Sequence, residues 1–203
     1  DRDDAVAQKV TEIEGCDRYR AQFILEGGSI HVDGQGTVIT TEECLLNPNR
    51  NPGLSRTQVE TQLKRYLNVE TVVWLGKGVL HDETDGHVDN LCAYVRPAEV
   101  VLTWTNDRND PQYEISRDAD ERLRDARDAR GRRFKVHKLQ QPGPLHMTQE
   151  KTAQAGAIGS AFDQARNIGN HETTAYFNAD DAKVRMQRGE RIIGDSRSGR
   201  RNR

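Results

Sequence analysis

The 203-residue chain carries 30 Lys and Arg against 32 Asp and Glu, a net charge of −2 and a pI near 6.3, so nothing global favours a nucleic acid or an anionic membrane surface. Its length allows one sizeable core or two small ones, but 34% hydrophobic and 31% charged residues with a mean hydropathy of −0.87 supply lean material for them. No run approaches the roughly 18 apolar residues of a spanning helix, and no signal-peptide pattern opens the chain. Cys16, Cys44 and Cys92 are odd in number, widely spaced and free of CxxC or zinc spacings, the usage of a reducing compartment. The expected location is the cytoplasm.

In chain order, Val6, Val10 and Ile13 fall at helical spacing and predict one apolar stripe over residues 4–14, with Gly15 as the stop. Because the chain opens inside this helix, an excised or incomplete N-terminus is expected. Phe23-Ile24-Leu25 reads as extended, and Glu26-Gly27-Gly28 as the join to the next strand. Ile30 and Val32 alternate with Ser29 and His31, and Asp33-Gly34 is a hairpin signal leading to Val38-Ile39. A Pro- and Asn-rich loop, 48–53, precedes a helix capped by Ser55 and running to about Leu67, with Val59, Leu63 and Leu67 on one face. Val72 to Leu75, Leu91 to Val95 and Val100 to Thr105 read as strands. Asp107 to Pro111 is a turn, and a helix with Ile115, Ala119, Leu123 and Ala126 inward reaches about Arg130. Phe134 to Leu139 alternates as a last strand. The fold class is α/β, and a ββαβ pattern at 23–75 and again at 91–139 predicts a repeat with blades around an axis. From Lys183 onward arginines dominate, which predicts a loosely packed or disordered tail.

The densest chemistry lies in His81-Asp82-Glu83-Thr84-Asp85-Gly86-His87-Val88-Asp89-Asn90, four carboxylates and two imidazoles beside a strand. If the chain runs extended from His87, then Asp89 shares its face, roughly 7 Å away at Cα. An imidazole and a carboxylate so placed suit a general acid/base and an anchor for a cation. Glu26, beside two glycines, could orient His87 and raise its affinity for a proton. Asp89 with residues 82, 83 and 85 would then seek a cation, a guanidinium above all, whose planar fork takes paired carboxylates. The competing reading is a divalent-metal site made of His81, Asp85, His87 and Asp89, although the His-Val-Asp spacing is diagnostic of no metal. The bland reading leaves His87 as hydrogen-bonded structure in an acidic turn and Glu26 as a surface residue.

Several segments resemble the agmatine deiminase family closely: Glu26 to Gly34, Thr40 to Asn47, Asn49-Arg50-Asn51-Pro52, Thr84 to Asn90, Asp110-Pro111-Gln112-Tyr113, and Pro142-Gly143-Pro144-Leu145. The resemblance runs in order from residue 1 to about 150. It implies a partial pentein-type α/β propeller of ββαβ units over 1–150, about two units, followed by a divergent tail over 151–203. It also implies hydrolysis of agmatine to N-carbamoylputrescine and ammonia on a route to putrescine, with no cofactor, no metal, and a homo-oligomer in the intact family. Carried over position by position, His87 protonates departing ammonia and then activates water, Asp89 holds the guanidinium nitrogens, and Glu26 positions His87. Asp85 and Glu83 line the substrate site, Glu83 standing where relatives often carry Asp.

Two family features have no match in this sequence. One is the glycine-rich segment ending in His-Cys that supplies the nucleophile; the other is an N-terminal arginine-aspartate-threonine-glycine-proline segment. By position none of Cys16, Cys44 and Cys92 substitutes for the nucleophile. A truncated or frame-disrupted product, inactive in isolation and prone to aggregate through uncovered strand edges, is the simplest expectation. The rivals are a noncatalytic guanidinium- or polyamine-binding remnant and a peptidyl-arginine deiminase relative.

Overall fold

The computed structural model describes residues 5–142. The expected divergent tail and the Pro142–Leu145 motif beyond its first residue lie outside them. Helix α1 (Val6–Glu14) ends where Gly15 turns left-handed, at φ 64°. Its stripe of Val6, Val10 and Ile13 is exposed and joins neither core among the described residues.

Phe23 to Leu25 is not a strand. Asn51 holds it instead: its side-chain oxygen accepts from Ile24 N at 2.9 Å and its amide donates to Ile24 O at 3.0 Å. One side chain thus takes the two bonds a neighbouring strand would have offered. Gly27–Ser29 forms a single 3₁₀ turn, and the hairpin follows as β1 (Ile30–Val32) and β2 (Thr37–Thr41). Val32 is exposed, whereas His31 faces the second half of the molecule, its Nδ1 accepting from Tyr94 N at 3.3 Å. Ile30 packs against the smaller core under the next helices, while His31 is only partly buried.

After β2 the chain winds at once into the short helix α2 (Glu42–Leu45), whose N-cap Thr41 accepts from Cys44 N. Helix α3 (Arg56–Leu67) starts in a reciprocal cap between Ser55 and Gln58 and buries Val59 and Leu63, as its pattern predicts. It returns the chain to β3 (Thr71–Leu75), parallel to β2. Between β3 and the next strand lies α4 (Val88–Leu91), one helical turn. Then β4 (Cys92–Arg96) pairs antiparallel with β5 (Glu99–Trp104), and α5 (Gln112–Asp125) leads to β6 (Lys135–Gln140), parallel to β5. Helix α5 stops short of Arg130. Asp128 draws the chain into a turn by accepting from Arg130 N, Arg132 N and Arg132 Nε, and an Arg127–Arg133 bridge closes it.

Both ββαβ units are present, with strand orders β1-β2-β3 and β4-β5-β6. One core runs through them, from Ile39, Val73 and Leu75 to Val88, Leu91, Leu102, Trp104 and Leu123, while a smaller one under α3 holds Cys44, Leu45, Val59, Leu63 and Trp74. Helix α5 touches β3 as well as its own sheet, and Arg122 donates to Glu42 at 2.7 Å across the seam. That shared core sets the loop carrying His87 against the 3₁₀ turn after Glu26. No helix among the described residues is long and apolar enough to cross a membrane.

Glu99 fixes the register of the second sheet, meeting Arg96 Nε at 2.6 Å, His137 Nε2 at 2.6 Å and Lys135 Nζ at 3.1 Å. The Arg96 hydrogen bond, with help from His137 and Lys135 and against the cost of burial, holds its carboxyl down at about 2 from an ordinary 4.5. A depressed carboxylate stabilises the fold above its unfolded value and loses that contribution as pH falls through the folded one. Glu99→Gln should therefore cost about 1–2 kcal/mol at neutral pH, the shift being discounted because Arg96 and Lys135 are well exposed. Urea titrations between pH 5 and about pH 2 should show a shallower acid slope for the variant; parallel slopes would remove Glu99 from this role.

Candidate active site

Glu26 stands just ahead of the 3₁₀ turn, its carbonyl accepting from Ser29 N at 3.1 Å and Ser29 Oγ at 2.6 Å. Across the turn comes the acidic stretch, folded by its own side chains. Asp82 accepts from Thr84 N, the Thr84 hydroxyl and His87 N, and so is occupied in shaping the loop. Gly86 has φ 89°, and a Cβ there would meet Glu43 Oε2 at 2.6 Å, so only glycine fits as the chain passes Glu43. Its carbonyl accepts from the buried Thr41 hydroxyl.

His87 is therefore the residue before a helical turn rather than a strand residue. Val88 and Leu91 anchor α4 in the core, and the extended path expected for 87–91 does not form. The pairing expected from that path is nevertheless realised by another geometry. Both side chains close on Gly28: a Cβ built there would collide with His87 Nδ1 and lie 2.6 Å from Asp89 Oδ2. The other imidazole nitrogen, Nε2, is 3.4 Å from Glu26 Oε2, an ion pair when the ring is protonated. His87 and Asp89 thus meet over Gly28, and the far side of the imidazole meets Glu26.

Two further residues enter that the sequence reading did not place there. Arg50 reaches in from the Asn47–Gly53 loop, its side chain only 9% exposed. It grips Glu26 through Nε and, at 3.1 Å, through Nη2; it also donates to Thr84 O at 2.7 Å and approaches Asp85 Oδ2 at 3.4 Å. Asn49 donates to the same Asp85 oxygen at 2.9 Å. The Arg50 hydrogen bond holds the Glu26 carboxyl below the usual range, burial opposing it and His87 helping. The sequence signals it only through the Asn49-Arg50-Asn51-Pro52 segment of the family resemblance, which carries no periodicity that would place Arg50 inward.

The second is Cys44, buried on α2 with its thiol 3.8 Å from Glu26 Oε2. Glu26, Cys44 and His87 each place one donor atom within 4.8 Å of the others. Burial pushes the thiol up to about 12, with Arg50 pulling the other way, so Cys44 is a neutral thiol rather than a poised nucleophile. Cys92 is buried in the core and its thiol is likewise pushed up, while Cys16 is exposed beyond α1.

His81 and Glu83 are exposed, and the described residues do not gather His81, Asp85, His87 and Asp89 as one metal-ligand set. A cleft of about 820 Å³ lies between α1, residues 17–24 and residues 50–54; it reaches Arg50 but is not lined by Glu26, His87 or Asp89.

The profile of the Porphyromonas-type peptidyl-arginine deiminase family matches residues 1–174. The agmatine deiminase of Ectopseudomonas mendocina is 58% identical over 165 residues, 81% of this chain and 45% of that protein. That of Pseudomonas putida is 60% identical over 168 residues, 82% and 46% respectively. The solved agmatine deiminase of Enterococcus faecalis superposes with a TM-score of 0.67 at 54% identity, over 72% of this chain and 40% of that one. The chain thus spans about half the length of the curated relatives it matches. It belongs to the Porphyromonas-type peptidyl-arginine deiminase family, and within it resembles hydrolytic enzymes named agmatine deiminase.

Proposed function

We propose that Glu26, His87 and Asp89 are the proton-handling and guanidinium-holding part of an agmatine deiminase centre. The observation that carries this is that His87 and Asp89 both pack onto Gly28 while the other imidazole nitrogen meets the Glu26 carboxylate. In the reaction a thiolate attacks the guanidinium carbon and ammonia leaves, forming an amidino-thioether; water then attacks and releases N-carbamoylputrescine and the thiolate. His87 gives its proton to the departing nitrogen and takes one from the incoming water. Glu26 stabilises the imidazolium form, and Asp89 accepts hydrogen bonds from the guanidinium nitrogens. Asp85, held by Arg50 and Asn49, and Glu83 would line the substrate site in this reading. The surrounding architecture in this reading is two units of a pentein-type propeller in a cytoplasmic enzyme of putrescine formation.

The 203 residues contain no His-Cys pair, and Cys44 is held as a neutral thiol. A polypeptide of these residues should therefore bind agmatine without turning it over, which is the noncatalytic remnant's behaviour. Titration calorimetry with agmatine, beside an ammonia assay, tests both halves. Heat from wild type that Asp89→Asn removes, with no ammonia, is the expected outcome. Ammonia above background would overturn the inactivity, and absent heat would overturn the pocket. Stronger binding of a peptidyl-arginine than of agmatine would move the substrate to the peptidyl-arginine deiminases.

A further inference from the structure

We infer that Glu26, Cys44 and His87 form a binding site for zinc or a similar borderline-soft divalent ion, set inside the same cluster and able to bind without substrate or turnover. Their three donors are a carboxylate oxygen, a sulfur and an imidazole nitrogen, a set matched to zinc and poorly matched to magnesium or calcium. Tetrahedral zinc with ordinary bond lengths holds such donors about 3.3–3.7 Å apart. Here Glu26 Oε2 lies 3.4 Å from His87 Nε2 and 3.8 Å from Cys44 Sγ, and all three donors fall within 4.8 Å. Closing the triangle asks only for small side-chain movements.

His87 Nε2 is itself the second observation. It is buried and makes no hydrogen bond, in a side chain only 13% exposed, so it presents a lone pair or a proton to this cluster. Arg50 does not block the ion. Each carboxylate oxygen has two lone pairs, so Glu26 Oε2 can accept from Arg50 Nε and still coordinate. The guanidinium charge is already offset by Glu26 and Asp85.

Binding converts the Cys44 thiol into a zinc thiolate and releases its proton to solvent; no electron is transferred. A fourth ligand would be water. An ion here would occupy the His87 nitrogen and the Glu26 carboxylate together, and so remove the proposed proton carrier from service.

The test uses the 203-residue chain and the metals alone. Cobalt(II), a spectroscopic stand-in for zinc, should give a near-ultraviolet thiolate-to-metal charge-transfer band with one ion per chain. Zinc should displace it, and calorimetric heats should change with buffer ionisation enthalpy by about one proton released at neutral pH. Cys44→Ser should abolish the band and weaken zinc at least about tenfold, as should His87→Ala, while Cys16→Ser should leave both unchanged. Loss of the band in His87→Ala keeps the test decisive even where Cys44→Ser does not fold. A wild-type chain with no thiolate band, or a band that survives His87→Ala or depends on Cys16, would overturn the site. Because no step needs agmatine, failure here leaves the deiminase reading standing, and failure of agmatine binding leaves the metal site standing.

Discussion

Arg50→Met should lower the free energy of unfolding by about 2–3 kcal/mol, seen as a urea midpoint reduced by roughly 1 M. The guanidinium is buried, and it ties three segments: Glu26 before the 3₁₀ turn, Thr84 and Asp85 in the acidic loop, and its own Asn-Pro loop. Methionine fills much of the volume but leaves the Thr84 carbonyl and the Glu26 carboxylate without their donor. Losing one member of a fully buried ion pair costs about 3–5 kcal/mol. The lower figure expected here reflects Glu26 at 39% and Asp85 at 36% exposure, where water replaces part of what is lost. Arg50→Lys should recover less than half, since an ammonium cannot span both Glu26 oxygens and the carbonyl. The pH dependence should change in a defined direction. Arg50 depresses the Glu26 carboxyl, so that carboxylate stabilises the fold above its unfolded value and ceases to as pH falls through the folded one. In Arg50→Met this part of the acid slope should shrink. A midpoint within about 0.2 M of wild type, or full recovery by lysine, would show that Arg50 only decorates the loop.

That prediction could not have been made from the sequence, and the reason is physical. Periodicity and capping report on neighbours in the chain, which is why α3, with its Ser55–Gln58 cap and buried Val59 and Leu63, and both ββαβ units were legible. Arg50 meets partners 24 and 34 residues away, through loops that have no period. Cys44 was passed over for a related cause: α2 is a single turn tucked behind β2, too short to imprint a pattern, yet it aims the thiol at Glu26. At 87–91 the error was one of conformation with the partnership preserved. A regular helix would turn residues 87 and 89 apart, but His87 stands outside the turn with non-helical backbone (φ −51°, ψ 136°), so its ring still meets Asp89, while the burial of Val88 and Leu91, three apart, selects the helical turn.

Gly28→Ala should weaken agmatine binding by about a hundredfold while costing under about 1 kcal/mol of stability. Gly28 has no left-handed backbone requirement, so alanine adopts its conformation without strain. The new methyl group would instead occupy the space now shared by His87 Nδ1 and Asp89 Oδ2, and both side chains must swing aside. Val88 and Leu91 anchor the adjoining turn in the core, so the displacement falls on the His87 ring and the Asp89 carboxylate rather than on the core. Gly27 supplies the internal control. It belongs to the same 3₁₀ turn, but a Cβ there meets nothing within 4 Å, and Gly27→Ala should leave agmatine affinity within about twofold of wild type. Two alanines side by side, equal in their effect on chain entropy and unequal in what they touch, separate the geometry of the cluster from the rigidity of the turn. Equal losses of affinity in both variants would mean that the turn's flexibility, and not the closeness of His87 and Asp89 to bare backbone, governs binding. Retained affinity in Gly28→Ala would remove the packing of His87 and Asp89 on that glycine as the basis of the proposed guanidinium site.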